Sequence, residues 1–534
     1  VIVGIVDSHP DIYHVDFRNN DSSGGDNLGS TRLLFYWNQF LSASGTESAP
    51  PTAPALPGFT PASGTSYGVE YSQANINAEL NAFSPAGSAS PNPAYQLVRH
   101  PYSSVPIDAH GTHVMGCAAG NGRSGNVGAA PGADLIYVEL AGTNGYIHAD
   151  QTTLADAFAY IFARATALGQ PCVINRSGSD NMGPHDGSTL GEQFLDNLLL
   201  VSGRAITFAA GNTDNQNSHT SGTVTQGNTT TLNLNYFTAD ANFDGINDLP
   251  RRNDQIEIWY DGHDAFGCTL TLPGGTSIGP IAPGNTSAVT NLPNGNTVQI
   301  VHGQNDPRNG DNVITIFIGN VSGTNTIPLG NWSIQLSGTT VINGNFAAWV
   351  ERNNRRLRSW GTPVAGSMTI ATPATSLRSI AVGAHDVTAG TPNTTAFTSA
   401  GPTRDGRIKP DISANGLSVT AARSTDRNSA TPGSNTSVKS GTSMAAPIVA
   451  GACACLFECR GAGLNWFDLK QILWNTAGSP AAGIPSNKFG FGFLQMTSAC
   501  TTPDPDVDAW LRDDVPDTGV EPYVGGISWR SPDI

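Results

Sequence analysis

The chain has 534 residues, of which 38% are apolar and 13% charged, and its formal net charge is −16. That length exceeds what one hydrophobic core supports, so two or three domains are expected, and the apolar fraction excludes a disordered chain. The acidic balance argues against nucleic acid as a partner, and no apolar run approaches the ~20 residues of a membrane helix, so a soluble chain with no membrane insertion is expected.

The chain opens on the apolar run Val1–Val6, followed by Asp7. This predicts a buried parallel strand with a carboxylate at its carboxyl end, where open α/β sheets carry functional groups. A strand-end Asp serves about as often to cap a turn. With no initiator Met, the start reads either as that of a secreted chain from which a targeting segment, and with it a pro-segment, has been removed or as that of a truncated chain. Next comes Asp108-Ala109-His110-Gly111-Thr112-His113-Val114-Met115-Gly116. Its small residues predict a helix that starts close against neighbouring backbone, with the His110 imidazole at its mouth. Histidine suits general-base work near neutral pH. His113, one turn on, reads as an ordinary packed histidine.

From 219 to 352 the pattern changes. Leu232, Leu234 and Tyr236 alternate with polar residues, as do Ile256 and Ile258, Val298 and Ile300, and Ile314 and Ile316. Pro-Gly-Gly and Asn-Gly turns separate the runs, which predicts an antiparallel sandwich or jelly roll. Within it, Asp240, Asn242, Asp244 and Asp248 alternate around Gly245 like the first half of an EF-hand-type calcium loop. Position twelve is Arg251 and not the usual Glu, so Asp248 would have to compensate. An acidic surface turn accounts for the string equally well.

The third informative string is Ser440-Gly441-Thr442-Ser443-Met444-Ala445-Ala446-Pro447. Its small residues admit substrate, and Ser443 is expected at a helix N-terminus, where N–H groups and the dipole favour developing negative charge. Pro447 is expected in the first helical turn. Seven cysteines (Cys117, Cys172, Cys268, Cys453, Cys455, Cys459 and Cys500) cannot all pair within a monomer and show no metal-ligand spacing. Most read as buried thiols, with a Cys459–Cys500 disulfide left open. Residues 501–534 are rich in Asp and Pro and read as a solvated tail or the start of a further module.

Together the Asp7, His110 and Ser443 segments resemble the subtilase family of serine proteases in order, local sequence and flanks. His14-Val15-Asp16-Phe17, Gly128–Ala133, Phe208–Asn212, Gly406–Ile412 and Phe489–Gly492 extend the resemblance. It implies an α/β fold with a subtilisin-like parallel sheet flanked by helices. Residues 1–218 and 353–500 would form its two parts, around an inserted antiparallel β-sandwich, jelly-roll-like, at 219–352. It further implies that Ser443 is the nucleophile, His110 the general base and Asp7 its orienting partner, with Asn212 and the Ser443 N–H binding the oxyanion. Ser177, Gly178 and Ser179 would form one wall of the first specificity pocket and Ala209, Ala210 and Gly211 the other. Gly142, Thr143 and Asn144 would form an edge strand that pairs with extended substrate. The family counterpart of Asp16 contributes to a structural calcium site, which the loop around Asn121 would complete. No cofactor is implied for catalysis. Polypeptide substrates, a pro-segment or inhibitor, and a secreted location are.

Two positions depart from the family pattern, His9 where Gly is usual and Asn415 where Pro is common. Two rival functions are a binding scaffold that has lost turnover and a carbohydrate- or surface-binding protein centred on the β domain. Four intact catalytic positions argue against the first, and a stabilising buttress is the simpler role for the insert.

Overall fold

The computed structural model describes residues 1–20, 26–62, 64–83, 95–99, 108–140, 151–238, 253–320, 326–351, 358–361, 366–388, 390, 392–424, 435–480 and 483–501. Strand Ile2–Asp7 is buried along its whole length and lies near the middle of a nine-stranded sheet. It pairs in parallel with Asp134–Glu139 on one side and Cys172–Arg176 on the other. Arg204–Ala209 and then Ile380–Asp386 continue the parallel run beyond Cys172–Arg176. Because side chains alternate across a strand, Val3 and Ile5 enter one core layer while Ile2 and Val6 enter the other. The first layer holds helices His110–Ala119 and Thr442–Arg460, and the second holds Gln151–Ala167 and Leu190–Leu198. Each fully buried Ile, Leu or Phe in these layers contributes about 1.5–3 kcal/mol.

Helix Thr442–Arg460 is long and apolar enough to cross a membrane, a feature missed in the sequence reading, but it is mostly buried within the protein. Its C-terminal end is tied to the last described residues by a Cys459–Cys500 disulfide, with a Cα–Cα distance of 5.8 Å. Cys117, Cys172, Cys268, Cys453 and Cys455 are free, and all but Cys455 are buried.

The antiparallel part consists of two packed sheets. One holds Ser277–Ile281, Ala265–Thr271, Gly330–Thr340, Thr229–Tyr236 and Arg358–Trp360; the other holds Thr290–Asn291, Asn296–Gly303, Asn312–Asn320, Asp254–Tyr260, Asn345–Val350 and His219–Thr223. The alternating Leu232, Leu234, Ile256, Ile258, Val298, Ile300, Ile314 and Ile316 all enter its core. Strand Arg358–Trp360 pairs with Thr229–Tyr236, so this unit takes in residues past 352. It packs on the parallel-sheet unit through Trp349, which stacks on His185 with ring centroids 4.0 Å apart and donates from Nε1 to the Met368 carbonyl at 2.8 Å. The tail after residue 501 lies outside the described residues.

Candidate active site

Three neighbouring parallel strands end at one place. Ile2–Asp7 delivers Asp7, Cys172–Arg176 leads into Ser177, and Arg204–Ala209 leads into Asn212. The two core helices bring His110 and Ser443 to the same edge, because each starts against a strand end.

Helix His110–Ala119 approaches the first strand closely because residue 111 is glycine. A Cβ there would stand 1.9 Å from both the Ser8 carbonyl and the Tyr137 hydroxyl. This approach sets His110 Nδ1 2.8 Å from Asp7 Oδ1. The Asp7 carboxylate is 3% exposed and its Oδ1 also accepts from the Ser8 N–H at 2.7 Å. Oδ2 is buried with no hydrogen-bond partner among the described residues. Burial alone would raise this carboxyl, but the His110 imidazole, the Arg176 guanidinium and the Ser8 N–H together hold it below the ordinary range. His113, by contrast, is buried and faces the Val419 and Ser437 carbonyls, and burial brings it down to about 4.

Ser443 is the second residue of helix Thr442–Arg460. Pro447 lies deeper than the first turn, inside the helix. Having no N–H, it cannot donate to the Ser443 carbonyl four residues earlier. That carbonyl accepts instead from Ser177 Oγ at 2.8 Å, and Ser443 Oγ donates back to the Ser177 carbonyl at 3.1 Å. Asn175 donates to Ser177 Oγ at 3.0 Å and accepts from Thr207 at 2.9 Å, which extends this support into the sheet. No hydrogen bond joins Ser443 Oγ to His110 among the described residues. Turning the serine about its Cα–Cβ bond exchanges the Ser177 partner for another, and such contacts commonly tighten only with substrate bound. Asn212 Oδ1 accepts from both the N–H and the hydroxyl of Thr442, each at 2.9 Å. This pins the amide oxygen and leaves Nδ2 as the donor beside Gly441, the residue before the Ser443 helix.

The other sequence expectations divide. Ser177 and Ser179 are buried beside Ser443 and Gly178. Ala210 and Gly211 are held through their backbones: Ala210 N–H donates to Val382, the Ala210 carbonyl accepts from Ala371, and the Gly211 carbonyl accepts from Ser399. Ala209 is itself buried. Gly142, Thr143 and Asn144, and likewise Asp240, Asn242, Asp244 and Asp248, lie outside the described residues. Asp16 is fully buried, and both of its oxygens already accept from Ser124, one from the N–H at 2.7 Å and the other from the hydroxyl. Asn121 Oδ1 likewise accepts from the Arg123 N–H at 3.1 Å. Among the described residues no group of three His, Cys, Asp or Glu could hold a metal ion. His9 pairs with Glu139, which also accepts from Tyr36 and from Asn38. Sequence reasoning missed Thr442 as the anchor of Asn212 and Ser177 as the partner of Ser443. The second was signalled by the proline four residues after Ser443.

The sequence profile of the Subtilase family matches residues 1–311 and 343–492. The chain is similar in fold to the CspB protease of Clostridium perfringens, with a TM-score of 0.71 and 24% identity over 93% of both chains. It is also 39% identical over 119 residues to the serine protease AprX of Bacillus subtilis (strain 168), a match spanning 20% of this chain and 27% of that relative.

Proposed function

Since the chain belongs to the subtilase family, we propose that it is a serine endopeptidase acting through Asp7, His110, Ser443 and Asn212. The carrying observation is the 2.8 Å contact between His110 and the buried Asp7 carboxylate at the strand edge where Ser443 begins its helix. Ser443 Oγ attacks the scissile carbonyl while His110 Nε2 takes its proton and later returns it to the leaving amine. Asp7, ionised by its neighbours, keeps the other ring nitrogen protonated and the imidazole in plane. Asn212 Nδ2 and the Ser443 N–H receive the oxyanion, and both are set beforehand, one by Thr442 and the other by the helix start. Peptide substrates, with a pro-segment or inhibitor as the other ligand of the cleft, and a secreted setting belong to the same reading.

The test is hydrolysis of casein and of fluorogenic peptides, with and without a serine-directed phosphonylating inhibitor. Ser443→Ala is expected to reduce turnover by about four to six orders of magnitude with unchanged thermal unfolding. Turnover within tenfold of the parent chain would overturn the assignment, and a parent chain that cleaves nothing would favour a binding scaffold.

A further inference from the structure

One cation near the catalytic edge, which already helps to keep Asp7 ionised, has hydrogen-bonding capacity that the mechanism does not use. Arg176 ends the strand that leads into Ser177 and is 5% exposed. Successive residues on an extended segment point to opposite sides. Ser177 therefore turns toward Ser443, while Arg176 and Gly178 share the other side. There the guanidinium lies flat against Gly178: a Cβ on residue 178 would stand 2.4 Å from Arg176 Nη2 and 2.5 Å from Cζ. The only hydrogen bond of this guanidinium among the described residues is from Nη1 to the Val6 carbonyl at 3.1 Å. Its remaining donors have no partner there, although a buried guanidinium with open donors carries a large desolvation cost.

Arg176 borders a cavity of about 290 Å³ that is lined also by Gly178 and Ser179, the two residues that follow Ser177 in the chain. The sandwich supplies its far wall through Glu257 and Arg308. The other charges around this space are largely engaged. Glu257 accepts from Gly183 N–H at 2.8 Å, Trp259 Nε1 at 2.9 Å and Gln255 Nε2 at 2.7 Å. Arg308 is paired with Asp306, and Asp180 accepts from the Met182 N–H at 3.1 Å. The cation of Arg176 is thus the group whose hydrogen-bonding capacity is still open to an incoming ligand. The overall charge of −16 repels acidic substrates at long range, so a local cation is what would admit one.

We infer that this cavity is a substrate subsite for a carboxylate, the side chain of an Asp or Glu a few residues from the scissile bond, with Arg176 as its cationic partner. Arg176 is then a specificity-determining residue, held in place by the absence of a side chain at Gly178. The inference rests on the endopeptidase reading above.

The test is a peptide library in which each position flanking the cleaved bond carries Asp, Glu, Asn, Gln or Lys, cleaved by the whole chain. Expected is one position at which Glu or Asp exceeds its amide isostere by on the order of 10- to 100-fold in kcat/KM. Arg176→Leu should abolish that ratio and Arg176→Lys should keep part of it. If Arg176→Leu does not fold, Gly178→Ala, which displaces the guanidinium, should reduce the ratio as well. No acidic preference at any position, or a preference that survives Arg176→Leu, would overturn the subsite. An equal loss on every peptide with an unchanged ratio would also overturn it, and would make Arg176 a charge that serves Asp7 alone. A parent chain that cleaves no peptide would instead remove the endopeptidase reading itself.

Discussion

The parallel sheet and the sandwich use β-structure in opposite ways. Ile2–Asp7 is buried on both faces, as is Cys172–Arg176, so each strand must end in polar residues, and those ends converge at one edge of the sheet. Asn296–Gly303 in the sandwich alternates strictly between buried and half-buried positions, so one of its faces, with Thr297 and Gln299, is partly open to solvent along its length. The first arrangement concentrates reactive groups at a point, and the second offers walls. The sandwich accordingly supplies Glu257, Trp259 and Arg308 to the cavity beside Arg176 and Trp349 to the interface between the two units, and no member of the proposed triad.

This contrast predicts different consequences for damage in the two places. Trp349→Ala removes a fully buried ring stacked between His185 and His219. It should destabilise the chain by about 3–5 kcal/mol in chemical denaturation, while the folded fraction, counted by inhibitor titration, keeps its turnover. A tenfold loss per active site would erase the distinction between floor and wall.

Asn212→Ala acts on the floor alone. It should lower kcat by about 10²- to 10³-fold with little change in KM, because its donor meets charge that exists mainly in the transition state. A change confined to KM would make Asn212 a binding residue.

Acid should strike the parallel-sheet unit through its buried histidines. Burial brings His113 and His385 each down to about 4. Below about pH 6.5 the unfolded imidazoles take up protons that the folded ones refuse, so stability present above that pH is lost as the pH falls toward 4. The loss is on the order of 3 kcal/mol per imidazole, and His385→Gln should flatten the corresponding part of a calorimetric pH series. A Tm that does not change between pH 7 and pH 4.5 would contradict this.

The smallest expected effect concerns calcium, for which we retain the 240–248 string as the proposed site. Chelator should lower the Tm by a few degrees, and Asp244→Ala should remove that response while Asp16→Asn leaves it in place. A response that depends on Asp16 would mean that Ser124 yields its carboxylate to a cation.

The residues of the proposed triad could be picked out in the sequence because each lies in a short string whose small neighbours have one physical purpose. Gly111 lets a helix touch Ser8, and the residues around Ser443 admit a backbone. The alternating apolar pairs of the sandwich were legible for the same local reason. Partnerships across long separations were not. Nothing near Arg176 in sequence indicates that Glu257, some eighty positions on, closes the space opposite. The sequence around Asp16 did not show that its carboxylate holds a loop through Ser124. Pro447 was assigned to the first turn because proline usually stands there, whereas Ser177 supplies the donor that allows it deeper in the helix.

The way the sandwich is attached has a consequence for modularity. The chain leaves the parallel-sheet unit just after Asn212 and returns near Trp360, whose N–H donates to the Asn217 carbonyl at 3.0 Å, with Val350 donating to Ser218 alongside at 3.1 Å. Exit and re-entry therefore lie side by side, so along the chain the sandwich branches from a single node, while it also packs on the trunk through Trp349. Such a branch can be exchanged, shortened or lost by joining two adjacent ends, without re-threading the trunk. The node lies within a few residues of Asn212, whose carbonyl accepts from Gln216 at 3.1 Å. A graft at this node would therefore be sensitive to the length and stiffness of its first few residues, even when the foreign module itself is well folded.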